Sequence, residues 1–70
     1  MTSTEKLIIA IKQYRSENTA EDCAPNIAIL PPEIAEDLRA LYVGHELGVY
    51  GGIKLIEGEV AEIIVAHARL

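Results

Sequence analysis

The stretch GGIKLIEGEVAEIIVAHARL, residues 51–70, decides the predicted fold. After its two glycines, apolar side chains recur at steps of three and four residues, which at about 100° per residue place them within one arc of a helix. The arc consists of Ile53, Ile56, Val60, Ile63, Ile64, His67 and Leu70. Such an apolar stripe needs a covering surface, and a chain of this size buries only about 60% of the surface that its unfolded form exposes. The stripe therefore predicts a third helix over about 53–69, with a homodimer interface along it.

Gly58 leaves an alternative open for this stretch. Glycine in a helix interior costs about 1 kcal/mol relative to alanine. Either one helix runs from Ile53 to Leu70, or residues 53–56 are extended and a helix begins near Gly58. We favour the single helix, because residues 53–58 do not alternate between apolar and polar as a half-buried strand does.

A first helix is predicted at the amino-terminal end. Thr2 and Glu5 have the spacing of a capping box, in which the hydroxyl and the carboxylate each satisfy a backbone N–H at the helix start. Leu7, Ile11 and Tyr14 lie on one side of this helix, over about 3–16.

A second helix is predicted after the two prolines at positions 31 and 32. The residue before a proline favours extended geometry, so residues 26–30 are predicted to form a short extended segment. Pro32 fits the first helical turn, where its missing N–H is not needed. The fold predicted for the single domain, residues 1–70, is therefore mainly α, a helical homodimer with three helices per chain at about 3–16, 32–47 and 53–69.

Composition restricts the class of partner. Eleven acidic and six basic residues give a net charge of −5, which repels a phosphate backbone and argues against nucleic acid as the partner. A protein with a basic surface is a better match. Cys23 is the single cysteine, so an intramolecular disulfide is impossible and a reducing cytoplasm is expected. We expect no signal peptide and no membrane span, because the apolar run at 7–11 is too short for either.

No motif indicates catalysis. His45 and Glu46 begin like a zinc-protease helix, but position 49, where the second histidine would stand, is Val49. Cys23 follows two acidic residues, which disfavour the thiolate that a nucleophile needs. The sequence therefore predicts no enzyme, no cofactor and no metal site.

His45 and His67 each lie within the apolar arc of a predicted helix. One interpretation is a buried or interfacial histidine that is hydrogen-bonded to a backbone carbonyl or a carboxylate. The other is an apolar interface whose stability depends on pH, because protonation of a buried imidazole places a charge in it.

Four apolar or aromatic residues fit poorly into the predicted core and are candidate anchors for a protein partner, because a few buried anchors supply most of the affinity in an interface. They are Ile9, Tyr42, Tyr50 and Leu55.

The stretch NIAILPPEIAEDLRAL, residues 26–41, resembles the start of a ribbon-helix-helix regulator, in which a short strand runs through a proline into a helix. The stretch GEVAEIIVAHARL, residues 58–70, resembles the second helix of that family. The resemblance implies a dimeric DNA-binding transcriptional regulator. The strand of that family presents polar and basic side chains to DNA, whereas residues 26–30 contain no positive charge.

As a whole, the chain is similar to small phage-encoded inhibitors of host regulators, such as anti-CRISPR proteins and quorum-sensing anti-activators. The likeness lies in its size, its acidity and its surplus of apolar surface. It implies a non-enzymatic regulator or inhibitor that docks as a dimer on a host protein, such as a transcriptional regulator, and blocks its activity. DNA binding in the ribbon-helix-helix manner is the alternative.

Overall fold

The computed structural model describes residues 2–19, 23–41 and 47–68. Within these ranges the chain forms two helices and four strands. In chain order they are α1 (Ser3–Glu17), β1 (Ile27–Leu30), α2 (Pro32–Arg39), β2 (Val49–Tyr50), β3 (Ile53–Glu57) and β4 (Ile64–Ala66). The fold is therefore α+β, and the prediction of a mainly helical chain is wrong.

Helix α1 confirms the first predicted helix and its capping box. The backbone N–H of Glu5 donates to Thr2 Oγ1 at 3.1 Å, and the backbone N–H of Thr2 donates to Glu5 Oε1 at 3.3 Å. At the other end, the N–H of Asn18 donates to the Tyr14 carbonyl at 2.9 Å. Leu7 and Ile11 are the buried residues of the helix.

The segment around the two prolines forms β1 and α2. Strand β1 confirms the extended segment predicted at 26–30, and Pro32 occupies the first turn of α2. The helix predicted over 32–47 is too long, because α2 ends at Arg39 and Leu41 N–H returns to the Leu38 carbonyl in a tighter turn. Residues 42–46, which include His45, lie outside the described residues.

The third predicted helix, over 53–69, is wrong. Residues 53–57 form β3 and residues 64–66 form β4. Gly51 and Gly52 have φ angles of 57° and 83°, which suit the two-residue turn of a β-hairpin, and the following Ile and Val residues favour strands. Without this helix there is no helical seam for a dimer.

The four strands form one mixed sheet in the order β2-β3-β1-β4. Strand β1 pairs in parallel with β3, and α2 and β2 lie between these two strands along the chain. Strand β1 also pairs antiparallel with β4, and β2 pairs antiparallel with β3. Beyond β4, the side chain of Asn26 continues the pairing: its Nδ2 donates to the Ala68 carbonyl at 2.8 Å, and Ala68 N–H donates to its Oδ1 at 2.7 Å.

The core lies between the sheet and the two helices, which cover the same face of the sheet. Its buried residues are Leu7, Ile11, Ala28, Leu30, Ala35, Leu38, Ile53 and Leu55. Two polar contacts surround it: Ser3 Oγ donates to Asp37 Oδ2 at 2.7 Å between the helices, and Arg39 of α2 pairs with Glu57 of β3. Within the described residues, neither helix has the length and apolar character that crossing a membrane requires.

Candidate protein-interaction surface

The strands carry apolar side chains on both faces of the sheet. In β1, Ala28 and Leu30 are buried beneath the helices, so Ile27 and Ile29 point to the opposite face. In β3, Ile53 and Leu55 are buried while Lys54 and Ile56 point away from the helices. A sheet covered on one side normally has a polar second face, and this one does not.

The strand register defines the second face. Across the sheet, one row of side chains consists of Val49, Lys54, Ile27 and Ala66, and the next row consists of Ile56, Ile29 and Ile64. We call these seven residues the open sheet face, because neither helix of the described chain packs against it.

Its rim is exposed and its centre is half-buried. Val49 and Ile64 retain 61% and 45% of their accessible surface, whereas Ile27, Ile29 and Ile56 are half-buried. At the end where β3 leaves the sheet, the chain passes so close that a Cβ on Gly58 would lie 2.7 Å from Ile29 Cγ2. The turn after β3 therefore borders the face on that side.

The charge of the chain is distributed unevenly around this surface. Lys54 is the one charged residue of the open sheet face. The acidic residues of the described ranges lie on the helices, at the end of β3 and in the turn before β4: Glu5, Glu17, Glu33, Glu36, Asp37, Glu57, Glu59 and Glu62. The open sheet face therefore contains none of the acidic residues of the described ranges, although the protein is acidic overall.

The structure separates the four predicted partner anchors. Ile9 is 48% exposed on α1, and Tyr50 is exposed on β2. Leu55 is 3% exposed in the core, so it is not available to a partner in the folded chain. Tyr42 lies outside the described residues.

The predicted dimer residues also separate, because the strands replace the helix that would have aligned them. Ile56 and Ile64 lie together on the open sheet face, whereas Ile53 is buried in the core and Ile63 packs against it. Val60 is half-buried in the turn before β4.

Beyond β4, His67 is exposed, and its Nδ1 lies 2.7 Å from the Ala24 carbonyl oxygen. Leu70 lies outside the described residues.

The sequence prediction did not include five members of the open sheet face, namely Ile27, Ile29, Val49, Lys54 and Ala66. One signal was present, since Ile27–Leu30 is apolar at every position, as in a strand buried on both faces. The surface itself depends on pairing between distant strands, which periodicity does not reveal.

Cys23 is a half-buried free thiol, and no three His, Cys, Asp or Glu side chains within 2–19, 23–41 and 47–68 converge on a possible metal site.

The two segments that resemble a ribbon-helix-helix regulator do not form its strand–helix–helix arrangement. Both edges of β1 are already paired, with β3 and β4, so β1 is not free to form a ribbon with a second chain. Residues 58–68 form a turn and a strand in place of the second helix. No protein-family model, curated protein or solved structure matches the chain.

Proposed function

We propose that this chain is a non-enzymatic, protein-binding regulator that forms a homodimer by stacking the open sheet faces of two copies. The observation that carries the proposal is an aliphatic sheet face with a single charge on a chain whose net charge is −5. Burial of apolar side chains is favourable, and an apolar patch that no described helix or strand covers is typical of an interaction surface. A reducing cytoplasm suits the proposal, since Cys23 is the only cysteine.

A second copy is a suitable occupant because the two faces are complementary in one orientation. Consider a two-fold axis that lies in the plane of the interface and runs perpendicular to the strands. Rotation about this axis reverses the strand direction, so the row that contains Lys54 in one copy faces the row of three isoleucines in the other copy. Lys54 then lies near the turn after β3 of the second copy, where Glu59 is exposed. Opposite charges meet at the rim, and the two lysines stay apart.

The size of the face predicts a weak dimer. Four strands spaced about 4.8 Å apart, with about four residues of about 3.3 Å each, cover roughly 19 Å by 13 Å, or about 250 Å² per copy. Two copies bury about 500 Å² on this basis, whereas stable interfaces bury about 1,200–2,000 Å². We therefore expect a dimer that dissociates on dilution.

Stacking through the sheet leaves the helical side free for another protein. Ile9 is an exposed apolar residue there, in a groove formed with Ile34 and Ile63. An apolar anchor in such a groove provides a docking point that self-association does not use. Loss of the dimer and loss of the partner should therefore be separable by mutation.

Sedimentation equilibrium from about 5 to about 500 μM tests the dimer, since this range brackets weak association. The wild-type mass should rise with concentration towards that of two copies. Ile64→Asp should remain monomeric, because it places a desolvated carboxylate in the interface. Ile9→Asp is the matched control, with similar exposure and the same change of charge on the helical side, and it should dimerise as the wild type does.

Two results would overturn the dimer: a wild-type chain that stays monomeric throughout, or an Ile64→Asp variant that dimerises normally. A gel-shift assay with genomic DNA at low salt tests the other function class. We expect no retardation, because a net charge of −5 repels a phosphate backbone. Retardation of a particular sequence would favour DNA binding instead.

A further inference from the structure

A second surface, apart from the open sheet face, combines positive charge with an apolar floor. It is a groove of about 230 Å³ between α1 and the β2–β3 hairpin. Its lining includes Ile8, Ile11, Lys12, Arg15, Tyr50 and Ile53. Among the described residues, no acidic side chain lines it.

The two cations of the groove lie on one flank of α1. Ile8, Lys12 and Arg15 are spaced four and three residues apart, which places their side chains above one another on the helix. Lys12 and Arg15 are exposed, and neither forms an ion pair with any other residue of the described ranges. They are thus available to an anionic group.

The opposite wall of the groove belongs to β2, an edge strand. The Gly48 carbonyl accepts a hydrogen bond from Leu55 N–H, and Tyr50 is paired with Ile53. Hydrogen-bonded and non-hydrogen-bonded pairs alternate in an antiparallel ladder, so the N–H and C=O of Val49 point outwards, away from β3. No described strand pairs with this side of β2, and an outward-pointing N–H and C=O at a sheet edge can pair with an added strand.

We propose that this groove, with the free edge of β2, binds an extended acidic peptide segment of another protein. The segment adds to β2 through the backbone of Val49. On the helical side of the sheet, an apolar side chain contacts Tyr50 and Ile8, and carboxylates contact Lys12 and Arg15. The edge of β2 favours a peptide over a free carboxylic acid. Only a peptide can pair with the backbone of Val49 and also contact Lys12 and Arg15 through its carboxylates.

Fluorescence anisotropy with a labelled peptide tests the proposal. The probe is fluorescein-Thr-Glu-Thr-Leu-Thr-Glu-Thr-amide, in which the two glutamates and the leucine share one face of an extended chain. Its affinity should fall as salt is added. Replacing both glutamates of the probe by glutamine should weaken binding about tenfold, as expected for the loss of two exposed ion pairs.

Protein variants locate the site. The double change Lys12→Gln and Arg15→Gln should weaken binding about tenfold. The matched control, Lys6→Gln with Lys54→Gln, removes the same charge outside the groove and should leave affinity within about twofold of the wild type. Circular dichroism checks that both double variants keep the fold, as their exposed positions predict.

The role of the strand edge is tested separately. N-methylation of the probe at its leucine and at the two flanking threonines removes the donors needed for strand addition, and it should abolish measurable binding. Three results would overturn the proposal: a glutamine probe that binds equally well, equal effects of the two double variants, or full binding by the methylated probe. Charge-dependent binding of dodecanoate without binding of the peptide would also overturn it, in favour of a small carboxylic acid.

Discussion

Replacing Gly58 by alanine should destabilise the fold by about 1 kcal/mol, although glycine-to-alanine changes often stabilise proteins. An added Cβ would lie 2.7 Å from Ile29 Cγ2, well inside the optimum of about 3.5–4.0 Å for two carbon atoms. Overpacking of this kind costs about 1–3 kcal/mol. Alanine also lowers the conformational entropy of the unfolded chain, which stabilises the fold by only about 0.4–1 kcal/mol. The steric cost is therefore the larger effect.

The sign of this effect should reverse when the opposing methyl group is removed. In an Ile29→Ala background the Cγ2 atom is gone, and Gly58→Ala should then stabilise the fold by about 0.4–1 kcal/mol. Ile29→Val is the matched control, because valine retains the branching methyl group and the clash should persist. This comparison separates a local steric contact from a general effect of alanine on the chain.

Urea unfolding followed by circular dichroism measures all the variants, at a protein concentration low enough to keep them monomeric. The slope of the free energy of unfolding against urea concentration should be the same in all the variants. In thermal unfolding of a two-state domain of this size, a loss of about 1 kcal/mol lowers Tm by about 4–8 °C. A steric clash between position 58 and Ile29 is refuted if Gly58→Ala stabilises the wild-type chain. The clash is also refuted if the effect of Gly58→Ala is the same with isoleucine and with alanine at position 29.

Three further variants test other parts of the fold, each by urea unfolding. Gly51 has a φ of 57°, so Gly51→Ala should cost about 1–2 kcal/mol and Gly51→Asn less, since asparagine tolerates this conformation; equal losses would contradict the turn geometry. Thr2→Ala removes the hydroxyl that caps α1 and should cost about 0.5–2 kcal/mol, so no loss would argue against the cap. Leu30→Ala empties a fully buried position and should cost about 2–5 kcal/mol, whereas a loss below about 1 kcal/mol would place Leu30 outside the core.

The parts of the fold that short-range chemistry determines could be predicted from the sequence. The capping box of α1 involves residues three positions apart, and the extended geometry of β1 follows from the proline after it. Both signals act within a few residues, and both elements are observed. The length of α2 was overestimated because the apolar stripe continued past Arg39, where the helix ends.

The error over residues 53–69 has a physical origin. Isoleucine and valine residues three and four positions apart are typical of the apolar stripe of a helix. The same spacing also arises in β3 and β4, because both faces of these strands carry apolar side chains. Ile53 and Ile56 illustrate this, since the first lies in the core and the second on the open sheet face. A strand with two apolar faces lacks the alternation that would have identified it.

The candidate surface could be predicted only in part for the same reason. Ile56 and Ile64 were expected in an interface, but on a helix, whereas their proximity to Ile27 and Ile29 comes from pairing with β1. Such pairing joins residues roughly 30 positions apart, and no local pattern encodes it.

The central position of β1 has a consequence for the order in which the chain can fold during synthesis. Both of its neighbours, β3 and β4, are translated after it. A nascent chain that ends at residue 57 contains β1, β2 and β3, which can already pair with one another. Strand β1, with its four apolar residues, is then the edge of this sheet until β4 has been synthesised. Exposed apolar edges promote pairing with other chains. Truncation before residue 64 should therefore turn the best protected strand of the finished sheet into the site where aggregation begins.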